Sequence, residues 1–166
     1  MGTCLGSSYK GPFYTLFSSM SLRDNLEGDS YFMAELKAIK RILNYSSENP
    51  DKNIICFVDE VLRGTNTVER ISSSTEILKY FGTQGLLCFA ATHDGELTFL
   101  LEKEYDNYHF EEEILDDDVR FNYRLISGRA TSRNAIKLLS VMGFDAGIVD
   151  KASDRALKFV ESGVWT

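Results

Sequence analysis

At 166 residues with 43% hydrophobic content, the chain has enough apolar material for one well-buried core and too little length for two full domains. Twenty-five acids against 18 bases leave a net charge of -7, which excludes a body that holds nucleic acid through its own bulk electrostatics. Cys4, Cys56 and Cys88 are too widely spaced for a disulfide or zinc framework and read as reduced thiols; with no span-length apolar run and no signal-like leader, a cytoplasmic location is expected.

The first 21 residues are rich in Gly, Ser and aromatics, and predict a broken lead-in followed by a strand around Phe13 to Phe17. A polar loop leads to Asp29-Ser30, a plausible helix N-cap. Phe32, Leu36, Ile39 and Leu43 then recur at helical spacing, so an amphipathic helix is expected from about Tyr31 to Asn44. Pro50 marks the turn out of it.

Ile54-Ile55-Cys56-Phe57-Val58 is an unbroken, β-branched apolar run, which suits a parallel strand buried on both faces. It ends on Asp59 and Glu60. Ligands of open α/β sheets bind outside the carboxyl ends of the strands, so these acids stand where an active site would lie. The arrangement is that of a Walker-B element, in which the first acid helps hold Mg²⁺ and the second orients or deprotonates the attacking water. Alone, an apolar run ending in Asp-Glu is equally a strand closing in a polar turn.

The segment from Arg63 to Thr67 reads as a loop, with Asn66 or Thr67 able to cap a helix that carries Ile71, Leu78 and Phe81 and ends at Gly82 or Gly85. A second apolar run, Leu86 to Ala91, ends on Thr92-His93-Asp94. A right-handed crossover makes the two strands neighbours or near neighbours and brings Asp59, Glu60 and His93 to one edge. The acid-rich stretch from Glu102 to Asp118 predicts antiparallel edge strands joined through Asp116-Asp117-Asp118, a solvated hairpin lacking the spacing of a calcium loop. Two helices are expected to finish the chain, Ser132 to Met142 and Ala146 to Glu161, the second striped by Ile148, Val149, Ala152, Ala156, Phe159 and Val160.

Ser30-Tyr-Phe-Met-Ala-Glu35, Phe57-Val-Asp-Glu-Val-Leu-Arg-Gly-Thr65, Ala91-Thr-His93 and the closing helix pair around Gly143 resemble, in order and spacing, the C-terminal ATPase domain of MutS-type mismatch-repair proteins, an ATP-binding-cassette relative. The resemblance runs from about Phe13 to Ala156. It implies an α/β, P-loop NTPase-like sheet with flanking helices: about 13–130 as sheet and nucleotide-site core, about 131–166 as a helical dimerisation tail. ATP and Mg²⁺ are the implied cofactors. Asp59 would assist Mg²⁺ through water, Glu60 would activate water, and His93 would sense the γ-phosphate. Thr65 and Asn66 would contact the nucleotide, and Ser30 would start a signature helix facing the nucleotide of a partner subunit.

The implied assembly is a homodimer through the ATPase domain, with DNA contacted by upstream domains. Leu62 stands where the family usually has Gly, and Glu69-Arg70 where it usually has Asp-Gly, which marks a divergent member. No G-x-x-x-x-G-K-[ST] occurs, so the phosphate-cradling loop is expected upstream of residue 1 and the chain is expected to be part of a longer protein. Two other readings compete: an interaction and dimerisation module inert as an ATPase, and another cassette-type ATPase such as a chromosome-maintenance protein.

Overall fold

The structure is a computed structural model that describes residues 8, 10–20, 31–114, 119–130 and 134–165, and it divides into two compact units, Met1–Tyr105 and Asp106–Thr166. That division falls well before the expected core-to-tail boundary near residue 130.

In the first unit, β1 (Thr15–Ser19), α1 (Tyr31–Glu48), β2 (Ile54–Asp59), α2 (Thr67–Thr83) and β3 (Leu87–Ala91) form two successive β-α-β crossovers. The strands make a parallel sheet in the order β1-β2-β3, with Thr15 opposite Ile54 and Asp59 opposite Ala91. Crossovers of the usual right hand that step the same way along a sheet put both helices on the same face. The burial pattern agrees. Ile54, Cys56 and Val58 of β2 are buried in one cluster with Ile39 and Ile42 of α1 and Leu78 and Phe81 of α2, while Ile55 and Phe57 on the opposite face are only half-buried.

The expectation of a strand buried on both faces is therefore corrected, and more so for β3, whose Leu87 and Phe89 are exposed. Among the described residues that face is left largely open: Phe57 and Phe89 stack on each other at 5.3 Å and Leu16 is exposed. An unbroken apolar run reports what a strand can bury, not what is present to bury it.

The buried stripe of α1 is Glu35, Ile39, Ile42 and Ser46, at helical spacing, with Phe32, Leu36 and Leu43 half-buried beside it. Helix α2 ends before Gly85, whose φ of +68° is the left-handed turn that glycine takes without strain. A short helix, α3 (Gly95–Leu100), has no counterpart among the expected elements; it buries Leu97, and Leu101 beyond it is also buried. Six residues are too few for a helical period to register in the sequence.

The second unit holds two small antiparallel ribbons and a helix pair. β4 (Tyr108–His109) pairs with β7 (Ile126–Ser127), and β5 (Glu112–Ile114) pairs with β6 (Val119–Phe121). The expected antiparallel strands are thus present on either side of the Asp116-Asp117-Asp118 cluster, which itself lies outside the described residues. α4 (Ala135–Val141) and α5 (Ala146–Ser162) follow, the latter capped by the Asp145 carboxylate, which accepts from the Gly147 N–H at 2.9 Å, and closed by Gly163. No helix among the described residues is long and apolar enough to cross a membrane.

Candidate functional site

β2 and β3 end in register, and three predicted residues meet there. The Glu60 amide donates to the Ala91 carbonyl at 3.0 Å, extending the sheet one residue past Asp59. In return the His93 amide donates to Glu60 Oε1 at 2.9 Å, and His93 Nε2 lies 3.9 Å from the same oxygen. The Glu60 side chain is 18% exposed and that of His93 is 96% exposed, so the carboxylate is held while the imidazole faces solvent. Asp59 is half-buried beside them.

The backbone at this point leaves the ordinary range. Glu60 and Leu62 have φ of 53° and 58°, in the left-handed region that costs a residue with a Cβ roughly 1–2 kcal/mol. Such a loop persists only where its surroundings over-determine it. Three elements do so here. From α1, Glu35 Oε1 accepts the Leu62 amide at 2.8 Å; from α2, the buried Ser74 hydroxyl donates to the Val61 carbonyl at 3.0 Å; from β3 and the segment just after it come the Ala91 and His93 bonds with Glu60. Gly64 completes the clamp, because a Cβ there would stand 2.9 Å from the Phe32 Cβ. Glycine at 64 is thus required by close approach, whereas at 62, where φ is also positive, this chain places a leucine that is only 2% exposed. Its burial offsets the strain.

Glu35 is 4% exposed and its Oε2 is buried without a hydrogen-bond partner. Burial pushes its carboxyl above the ordinary value, against the Leu62 N–H and the charge of Arg63, which pull it down. Nothing in the residue type signals a core position, since Glu is almost never fully buried.

Thr65 and Asn66, expected at the nucleotide, are engaged locally. Asn66 Oδ1 accepts from the Glu69 amide at 3.0 Å, and Glu69 Oε2 accepts from Asn66 Nδ2 at 2.6 Å and from the Thr65 hydroxyl at 3.2 Å, so together they cap α2. Beside Glu69, Arg70 grips Asp94 through two bonds of 2.8 and 2.7 Å, next to His93. Glu69 and Arg70 therefore both have structural work: one caps α2, the other ties α2 to the segment carrying His93. Sequence reasoning missed this pair because partners 24 residues apart leave no local pattern. Ser30 lies outside the described residues.

Comparison with known proteins follows the same outline. The family model for MutS domain V matches residues 7–160. A DNA mismatch repair protein MutS of Rickettsia canadensis is 34% identical over 148 residues, covering 87% of this chain and 16% of its own length. One from Aquifex pyrophilus is 37% identical over 137 residues, covering 81% of this chain and 15% of its own. The chain thus spans about one sixth of the length of these relatives.

Proposed function

The chain belongs to the MutS family through its domain V, and from that premise we propose that it is the ATPase-region portion of a MutS-like DNA mismatch repair protein, coupling ATP binding and hydrolysis to mismatch binding. The observation that carries this reading is the hydrogen bond of 2.9 Å from the His93 amide to Glu60 Oε1, which fixes the proposed base on the edge where Asp59 stands. Oε1 is occupied by that amide, so Oε2 is the oxygen left to accept a proton from an attacking water. His93, exposed at the rim, takes the γ-phosphate side.

Mg²⁺ keeps several waters and takes one or two carboxylates along with phosphate oxygens, so a single half-buried acid such as Asp59 fits it without an all-protein cage. When bound, the ion would neutralise charge building on the phosphates. Thr65 and Asn66 act through the position of the α2 start, and the reading gives Ser30 the role of contacting the nucleotide of a second subunit. The 166 residues contain no G-x-x-x-x-G-K-[ST], so this reading requires a phosphate loop supplied from outside them, and it assigns the DNA contact elsewhere as well. The absence of that motif also favours a second reading, an interaction and dimerisation module with no ATPase role.

Calorimetry and a chimera separate the two. The chain alone should show no micromolar ATP affinity, because backbone donors and the loop lysine are missing. Residues 7–160 built into the Rickettsia canadensis relative in place of its matched segment should bind ATP, and Asp59→Asn in that chimera should weaken binding with Mg²⁺ but not without it. An Asp59→Asn chimera whose Mg²⁺ dependence is unchanged rejects the assignment, and one that never binds ATP favours the interaction module.

A further inference from the structure

Cys56 of β2 and Cys88 of β3 are in-register partners on adjacent parallel strands, and both thiols are free. Neighbouring strands run about 4.8 Å apart, inside the range of about 4.4–6.8 Å between Cα atoms that a disulfide accepts. Both side chains point to the helix-covered face, where Cys56 is fully buried and Cys88, on the edge strand, is half-buried.

A third group joins them. Tyr105, whose hydroxyl donates to the Leu78 carbonyl at 2.9 Å, is also within hydrogen-bonding reach of Cys88. The Cys56 S–H beside it holds Cys88 below the ordinary thiol value, while Cys56, as the donor and the more enclosed of the two, is pushed up. Burial divides the pair into a nucleophile, Cys88, reachable from the sheet edge, and a resolving thiol, Cys56, behind it.

We propose that Cys56 and Cys88 form a two-thiol modification site that a peroxide converts to a disulfide joining β2 to β3. The Cys88 thiolate attacks one peroxide oxygen, the O–O bond breaks, and the departing oxygen leaves with a proton as water or an alcohol. Cys88 is then a sulfenic acid. The Cys56 sulfur gives up its proton and attacks the Cys88 sulfur, the S–O bond breaks, and a water leaves. Two thiols lose two electrons in total, and the peroxide gains them. The product ties together the two strands that carry Asp59, Glu60 and His93, and the site stands independently of any nucleotide.

The test uses the whole chain with Cys4 present as an internal competitor. After hydrogen peroxide near one equivalent, the protein is unfolded, its remaining thiols are capped with a maleimide, and it is digested with trypsin. The expected product is residues 53–63 linked to residues 80–103, with Cys4 capped and the linkage undone by a thiol reductant. A Cys56→Ala chain should accumulate a sulfenic acid at Cys88 that dimedone traps, and a Cys88→Ala chain should leave Cys56 unoxidised. Capping of all three cysteines in the native-sequence chain, a bridge that involves Cys4, or oxidation of Cys88 beyond the sulfenic state without a bridge would each overturn the proposal.

Discussion

Among the described residues, every buried apolar side chain lies before residue 106, and the unit that follows has none. Both units carry amphipathic helices, so the difference is not one of sequence pattern. α1 and α2 close over a sheet of three strands, whereas the stripe of α5 has Val149, Ala152, Ala156 and Phe159 only half-buried and Ile148 and Val160 exposed, with Phe159 stacking on Trp165 at 4.1 Å. Helical periodicity states which face needs cover. Only the fold around it decides whether cover is there.

This contrast is broken or sharpened first by deleting bulk on each side. Phe81→Ala empties a position that is 0% exposed and should cost about 3–5 kcal/mol. Leu157→Ala, at 62% exposure, should stay within about 0.5 kcal/mol. Urea unfolding of the two variants measures both. Equal losses would mean that the second unit holds a core as firm as the first.

A smaller effect is expected at Glu35, where the clamp on the loop can be separated from its charge. Glu35→Ala leaves the Leu62 amide without its partner and should cost roughly 1–3 kcal/mol. Glu35→Gln keeps an acceptor and removes the buried charge. Because the folded carboxyl titrates above its ordinary 4.5, the contribution of Glu35 is fully present below that value and is lost as pH rises through the raised one. The native chain should therefore gain stability relative to Glu35→Gln as pH falls from 8 toward about 4.5. Parallel pH profiles for the two proteins would place the carboxyl in solvent.

The smallest effect belongs to the second unit. His109 Nδ1 faces the Gly128 carbonyl at 2.9 Å and Nε2 faces Glu111 at 3.1 Å, so only the protonated ring donates to both. Its pKa is raised above 6.5, first by the carbonyl and then by the carboxylate, and its support for the β4–β7 ribbon is present below that value and lost as pH rises through the raised one. An NMR titration should place the His109 midpoint above 6.5, and Glu111→Gln should bring it down. A midpoint unmoved by Glu111→Gln would assign the shift to Gly128 alone.

Much of the candidate site was legible in the sequence because strand ends are local events. Two apolar runs, each stopping at polar residues and separated by a helical period, were enough to bring Asp59, Glu60 and His93 to one edge. The shape of the loop was not legible. The left-handed backbone at Glu60 and Leu62 is set by Glu35, Ser74 and His93, which come from three separate elements. For the same reason Asn66 was visible as a helix cap, a contact three residues long, while the grip of Arg70 on Asp94 was not.

The proposed role of the pinned loop is to hold Glu60 where it activates water. In the Rickettsia canadensis chimera, ATP affinity and steady-state hydrolysis are measured together for the unmutated protein and for Glu60→Gln. Glu60→Gln should leave ATP affinity unchanged and lower turnover by about 10²–10⁴-fold, the range for losing an acid-base group. Hydrolysis by Glu60→Gln at the unmutated rate would contradict it.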